Sequence, residues 1–240
     1  MSRPPLLAVD AGNTDTVVAV FDGVYVAAQR RAPTAGRAEA ERLIREVVDA
    51  SGLRPGATVV STPGRLLDDA YRGLIPELLG HPPMLVDGGT AGPDRIANCA
   101  AAHALLGGAC IVCDLGTATT VDAVDAGGGF LGGAIAPGLA VALSALAEHA
   151  TRLVEIELRP PRHAIGSDTV EAMRSGSVLG HAGLLDGLVE RFRDELGEPV
   201  PTVATGGLAA IVVPHCRTVS RIEPRLTLDG LRLLWERGRA

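Results

Sequence analysis

The chain of 240 residues contains no lysine, and all 22 of its basic residues are arginine. Any site that handles phosphate must therefore use guanidinium groups, backbone N–H groups or metal ions. Aromatic residues make up only 2%, which leaves Leu, Val, Ile and Ala to fill a core. Cations are not in excess either. The formal net charge of -6 lacks the clustered positive footprint with which proteins meet nucleic acid or an anionic membrane, so neither is expected as a partner. A secretory leader is not expected, because the apolar stretch before Asp10 in "MSRPPLLAVD" is too short for a leader's core. The uncharged run from Ala126 to Ala147 is long enough for a bilayer span but is interrupted by six glycines and Pro137.

The four cysteines, Cys99, Cys110, Cys113 and Cys216, then read as free thiols of a cytoplasmic protein. Cys110 and Cys113 form a CxxC inside "ACIVC", which has the pattern of a buried strand. Residues three apart on a strand point to opposite faces, so small buried hydrophobes are expected there rather than a metal or redox pair. With 47% apolar residues the composition is that of a soluble globular protein, and the length permits one large domain or two of about a hundred residues each.

The pattern predicts strands at Leu6–Val9 and Thr16–Phe21 around the polar turn "DAGNT", a hairpin signal. A helix is expected over Ala38–Ser51, where Leu43, Ile44, Val47 and Val48 recur at helical spacing and Gly52 ends the run. A strand at Thr58–Ser61 follows, then a helix at Leu66–Leu79 that Pro76 is expected to interrupt. A short strand at Met84–Val86 precedes an Ala-rich helix at Arg95–Leu106. The opening pattern then returns: strand "ACIVC", polar turn "DLGTATT", strand "VDAVDA", a glycine turn and strand "FLGGAIA". Helices are expected at Ser144–Arg152, Thr169–Phe192 and Asp229–Glu236, and a strand running into a glycine turn at "TVATGG". The recurrence implies two related domains, 1–107 and 108–240, meeting near Gly107 and Gly108.

The repeated oddity is an aspartate where a hydrophobic strand would otherwise continue: Asp10 before Gly12, and Asp114 before Gly116. A tight turn can present backbone N–H groups to a phosphate chain, and glycine lets the phosphate approach. An acid beside such a turn repels bare phosphate unless a cation lies between them, as Mg²⁺ commonly does in nucleotide sites. Asn13, Thr14, Thr117, Thr119 and Thr120 add short donors. A hairpin turn made of turn-forming residues is the bland reading of a single instance; two copies with an acid at one offset favour the phosphate reading. Gly206 and Gly207, in "TGG", suit the adenosine end of a nucleotide, although a plain strand–helix junction has the same look. In "GPDRIAN", Asp94 and Arg95 suit either catalysis or an ordinary helix start.

These motifs, "DAGNT" (10–14), "GPDRIAN" (92–98), "DLGTATT" (114–120), "GGAIAPGL" (132–139), "IGSDT" (165–169), "RSGSVLG" (174–180), "TGGLA" (205–209) and "LTLDGL" (226–231), stand in the order of the type III pantothenate kinases, which the sequence resembles nearly end to end. The resemblance implies an α/β fold of two ribonuclease H-like domains with a nucleotide cleft between them, the actin-like ATPase fold. It also implies ATP-dependent phosphorylation of pantothenate, the first step of coenzyme A synthesis, in a homodimer. By the same resemblance Asp94 is the general base, and Gly92 and Arg95 hold the substrate, with Thr169 reaching in from the other subunit. Asp10, Gly12, Asn13, Thr14, Gly116, Thr117, Thr119, Gly206 and Gly207 bind ATP. Asp10 is associated with Mg²⁺, and Asp114 with a monovalent cation, K⁺ or NH₄⁺.

Departures fall on the acceptor side. Pro93 stands where the family has Ala, "VDGGTA" (86–91) lacks the family's aromatic, "VVSTPGR" (59–65) replaces its "SSVVP" ending, and "IGSDT" places Asp168 where the family has Asn. A kinase for another small alcohol, a nucleotide-binding regulator without turnover, and a phosphatase of the same superfamily therefore stay open on the sequence alone.

Overall fold

The computed structural model describes residues 3–150, 153 and 155–238. Its strands are β1 (Leu6–Ala11), β2 (Asp15–Asp22), β3 (Tyr25–Pro33), β4 (Ala57–Ser61), β5 (Met84–Leu85), β6 (Cys110–Leu115), β7 (Ala118–Val124), β8 (Phe130–Pro137), β9 (Thr202–Thr205) and β10 (Arg221–Ile222). Its helices are α1 (Arg37–Ser51), α2 (Arg65–Leu79), α3 (Pro93–Leu106), α4 (Leu139–His149), α5 (Thr169–Leu196), α6 (Ala209–Val212) and α7 (Leu226–Arg237).

The chain divides within α3 into two units, and its last segment, from Leu226 onward, belongs with the first. The expected division at Gly107 and Gly108 thus differs from the packing at two places. The boundary lies a few residues earlier, and α7 returns to the first unit. Each unit is built on a five-stranded sheet, ordered β3-β2-β1-β4-β5 in the first and β8-β7-β6-β9-β10 in the second. In both, the first three strands run antiparallel as a meander and the fourth lies parallel to the first. One topology is used twice, as the repeated strand–turn–strand pattern implied.

Why β1 reads as a continuous apolar run becomes clear from its two faces. Leu7, Val9 and Ala11 pack with Leu43, Ile44 and Val47 of α1 and with Tyr71, Leu74 and Ile75 of α2. Leu6 and Ala8 pack on the other face with Ala97 of α3 and Leu228, Leu231 and Trp235 of α7. A strand covered on both faces has no solvent side and so no polar alternation. In the second unit, Ile111, Cys113 and Leu115 of β6 pack against Ala182, Leu185 and Val189 of α5. Each fully buried aliphatic side chain contributes about 1.5–3 kcal/mol, so this sheet–helix packing outweighs local propensity in fixing the elements.

Two expectations need correction, and one strand had no counterpart among them. Pro76 does not interrupt α2; it sits in the last turn, just before the helix closes with the Gly80 N–H donating to Pro76 O at 3.0 Å. The missing proline N–H removes one backbone bond near an end where the helix stops anyway. Helix α4 begins at Leu139, five residues before the expected Ser144, and ends at His149, while Thr151 and Arg152 lie outside the described residues. The strand β3 had no apolar signature because it is an outer strand with mixed exposure.

Candidate active site

In the first unit Asp10 is the penultimate residue of β1, paired in register with Val17 on β2 and Ser61 on β4. It stands at the C-terminal edge of a parallel pair, the side on which open α/β sheets bind ligands. Asn13 and Thr14 are exposed on the turn that follows, and the Gly12 N–H closes the turn onto Asp15 O at 2.8 Å. Behind it lies a residue that the sequence reading missed. The Thr34 N–H donates to Thr14 O (2.7 Å) and its hydroxyl donates to Gly12 O (2.7 Å), while Thr16 Oγ1 lies 2.9 Å from Thr34 Oγ1. Burial raises the Tyr71 pKa above the usual phenol value, with the charge of Asp10 adding to the rise, so the phenol keeps its proton.

The same unit carries the start of α3. Pro93 is its first residue, a position where proline is favoured because the missing N–H has no helical partner and φ is already set. The replacement of Ala by Pro93 is therefore compatible with the helix start that presents Asp94, which is exposed, and Arg95, which is half-buried. "VDGGTA" forms a tight turn in which Gly89 N–H donates to Asp87 Oδ1 (2.9 Å) and Ala91 N–H to Gly88 O (2.9 Å). The motif "LTLDGL" holds α3 from behind. Thr227 donates to Oδ1 of the buried Asn98 at 2.8 Å. A Cβ at Gly230 would lie 1.9 Å from Ala97 O, so only glycine allows α7 this close.

In the second unit Asp114 repeats the placement of Asp10: it is penultimate in β6, paired with Thr120 on β7 and Thr205 on β9. The turn that follows is closed by Gly116 N–H to Ala118 O (3.0 Å) and tied to the end of β8 by Gly138 N–H to Thr117 O (3.1 Å). Thr117 is exposed on this turn. Thr119, expected at the phosphates, is buried and shares a 2.7 Å hydrogen bond with Nε2 of the buried His181 on α5. Its hydroxyl thus ties β7 to α5. Desolvation lowers the His181 pKa, which keeps the ring neutral at pH 7.

Gly206 is brought against Asp114: it has φ +94°, and a Cβ there would lie 2.6 Å from Asp114 Oδ1 and from the backbone of Leu115. The Leu208 N–H donates to Leu115 O at 3.2 Å, so the "TGG" turn is folded over the end of β6, with Gly207 exposed. Thr169 begins α5 and is exposed. Asp168 is the helix cap, accepting from Glu171 N–H at 2.9 Å. Asn and Asp are equally good caps, which accounts for the change from the family's Asn. A cavity of about 320 Å³ opens between Arg162–Ser167 and this helix start.

Cys110 and Cys113 are fully buried, and desolvation holds Cys110 at about 11 and Cys113 higher still, so both keep their protons. Cys113 belongs to the cluster against α5, whereas Cys110 does not. Among the described residues no three His, Cys, Asp or Glu side chains gather as a metal cage. One carboxylate beside an exposed turn instead suits a cation that takes its other ligands from phosphate and water, the usual manner of Mg²⁺.

Two sheets of one topology, each ending its central strand in an acid and a glycine turn, define an actin-like ATPase fold, the fold of the sugar kinases. A hexokinase of the ROK type from Thermus thermophilus shares it with a TM-score of 0.61 at 18% identity, over 98% of this chain and 100% of that one. Residues 6–191 match the model of the type III pantothenate kinase family. A type III pantothenate kinase of Frankia alni is 44% identical, over 97% of this chain and 99% of its own length. One from a Parafrankia species is 45% identical over 97% and 98%. The chain belongs to the type III pantothenate kinase family.

Proposed function

We propose that the protein transfers the γ-phosphoryl group of ATP to the terminal hydroxyl of pantothenate, releasing ADP and 4'-phosphopantothenate, the first step of coenzyme A synthesis. The observation that carries this reading is the matched register of Asp10 and Asp114, each one residue before the end of a central strand and each followed by a glycine turn. Asp10 would hold Mg²⁺, directly or through water, and Asp114 a monovalent cation, K⁺ or NH₄⁺. Mg²⁺, when bound, neutralises charge on the phosphate oxygens. Gly12, Asn13, Thr14, Gly116 and Thr117 line the polyphosphate, and Gly206 and Gly207 leave room for adenosine.

Arg95 and Gly92 hold the acceptor, and Asp94 accepts the proton of its hydroxyl as the new O–P bond forms and the bond from Pγ to the β–γ bridging oxygen breaks. Phosphoryl transfer of this kind is mostly alignment and charge neutralisation, so an aspartate suffices as the base. Thr169 completes the acceptor site from a second copy of the chain. Support for a homodimer comes from unit 2, where Leu131 and Ile135 of β8 and Val141 and Leu146 of α4 are exposed. No helix among the described residues is long and apolar enough to cross a membrane.

A coupled assay of ADP release, with and without pantothenate, tests the reading. Pantothenate-dependent release is expected from the parent, and Asp94→Asn should lower kcat by about 10²–10⁴ with ATP binding retained. Equal rates for variant and parent would remove Asp94 from the chemistry. The altered turn "VDGGTA" favours one second reading, a kinase for another small alcohol; ADP release with hydroxy acids or polyols but not with pantothenate would establish it.

A further inference from the structure

We infer that Thr34 is a positioning residue for the first phosphate turn, acting through a chain of hydroxyls that ends on the carbonyl of Gly12. This rests on the reading of residues 12–14 as a nucleotide turn. The donor order follows from counting protons. A threonine hydroxyl has one hydrogen, and that of Thr34 goes to Gly12 O, which can only accept. Thr16 must then donate to Thr34. The chain runs Thr16 to Thr34 to Gly12 O, and its first member is buried.

What this achieves follows from peptide geometry. In a trans peptide the C=O of one residue and the N–H of the next point to opposite sides of the chain. Thr34 draws back the carbonyls of Gly12 and Thr14, with its hydroxyl and its N–H respectively. The partner N–H groups of those two peptides, on Asn13 and Asp15, therefore point away from Thr34. Glycine leaves the peptide at 12–13 free to flip, and the Thr34 hydroxyl is the group that prevents it. The second unit uses the same place in the topology, the residue after the third strand, but there Gly138 supplies only a backbone N–H. The hydroxyl pin is a device of the first turn alone, the one beside Asp10.

The test compares Thr34→Val, which keeps the shape and the N–H but removes the hydroxyl, with Thr34→Ser, which restores it. Thr34→Val should raise KM for ATP or lower kcat/KM for ATP about tenfold, the loss of one charge-directing amide, with KM for pantothenate unchanged. Thr34→Ser should recover to within about twofold. In parallel, stabilisation of each protein by Mg–ATP against thermal unfolding is measured without acceptor. Thr34→Val should show a smaller shift than the parent, whatever its starting Tm. A variant that melts earlier but keeps the parental ATP shift and the parental KM for ATP would make Thr34 a stability residue and overturn the inference. Should the parent bind ATP yet leave pantothenate untouched, the acceptor reading falls while the ATP shifts still decide Thr34. A parent without any ATP shift would end both.

Discussion

Gly230→Ala tests whether α7 positions the helix that carries Asp94. In an exposed helix this substitution is stabilising by about 1 kcal/mol, because alanine has the higher helix propensity. Here the added Cβ would lie 1.9 Å from Ala97 O and 2.4 Å from Ala97 C, against an ordinary contact of 3.4 Å or more. Helices α7 and α3 would have to separate by about 1.5 Å, and overpacking of this kind costs about 1–3 kcal/mol. The separation also stretches the 2.8 Å bond from Thr227 to Asn98, and a buried amide left unpaired costs about 1–3 kcal/mol more. Set against the propensity gain, a net loss of about 1–5 kcal/mol results, lowering Tm by roughly 2–20 °C at this chain length. Since α3 presents Asp94, a shift of about 1 Å should also cost about tenfold to a hundredfold in kcat at temperatures where the variant is folded. Differential scanning fluorimetry and the coupled ADP assay read both effects. A variant melting at or above the parent, as propensity alone predicts, would refute the claim that glycine is there for close packing.

Two further perturbations address the second unit. Gly206→Ala would force a Cβ onto Asp114 Oδ1 and Leu115 at a φ of +94°; thermal-shift titration should show ATP affinity reduced at least about tenfold, and parental affinity would refute the cradle. Asp186 is buried on α5 and accepts from the N–H groups of Arg217 and Thr218, the Thr218 hydroxyl and Arg217 Nε. Burial pushes its pKa up, but these donors outweigh burial and leave it below the usual carboxylate value. A depressed folded pKa means stabilisation that is complete above the unfolded value near 3.9 and disappears as pH falls through the folded value. Asp186→Asn should therefore cost about 2–3 kcal/mol at pH 7, with the gap from the parent closing below about pH 4. A gap independent of pH in urea melts would refute the carboxylate's role.

The elements legible in the sequence were those whose signal is local. Strand β1 is announced by an unbroken apolar run, α1 by a stripe at helical spacing, and the turns by an acid and glycine where apolar residues should continue. Strand β3 was not legible, because "YVAAQRRAP" is partly exposed and its contribution to the core is small, Ala28 and Ala32 on one cluster and Val26 on another, beside its pairing to β2. The return of α7 to the first unit was not legible either. Its leucines read as a helix, but which sheet they cover depends on Gly230 meeting Ala97 and Thr227 meeting Asn98, contacts more than a hundred residues apart in the chain.

The same distinction sorts the site residues. Asp10 and Asp114 stand out because each breaks a local rule, and the sheets place them at equivalent positions. Thr119 and Thr34 look alike in sequence, two small hydroxyls near a turn, yet Thr119 turns inward to His181 and Thr34 reaches back to the turn from the far end of β3. The partner of each is decided by contacts distant in the sequence, with α5 for Thr119 and with the turn after β1 for Thr34. The departures on the acceptor side separate in the same way. Pro93 and Asp168 both fall at helix starts, where proline at the first position and aspartate at the cap satisfy backbone requirements in place. They change residue type without changing what the backbone needs there. "VDGGTA" is different in kind: it exchanges an aromatic surface for a glycine turn closed by its own backbone. On the proposed reading of this stretch as part of the acceptor site, acceptor choice in the coupled ADP assay should respond to substitutions at 86–91 and not to Pro93→Ala or Asp168→Asn, and the reverse pattern would refute that placement.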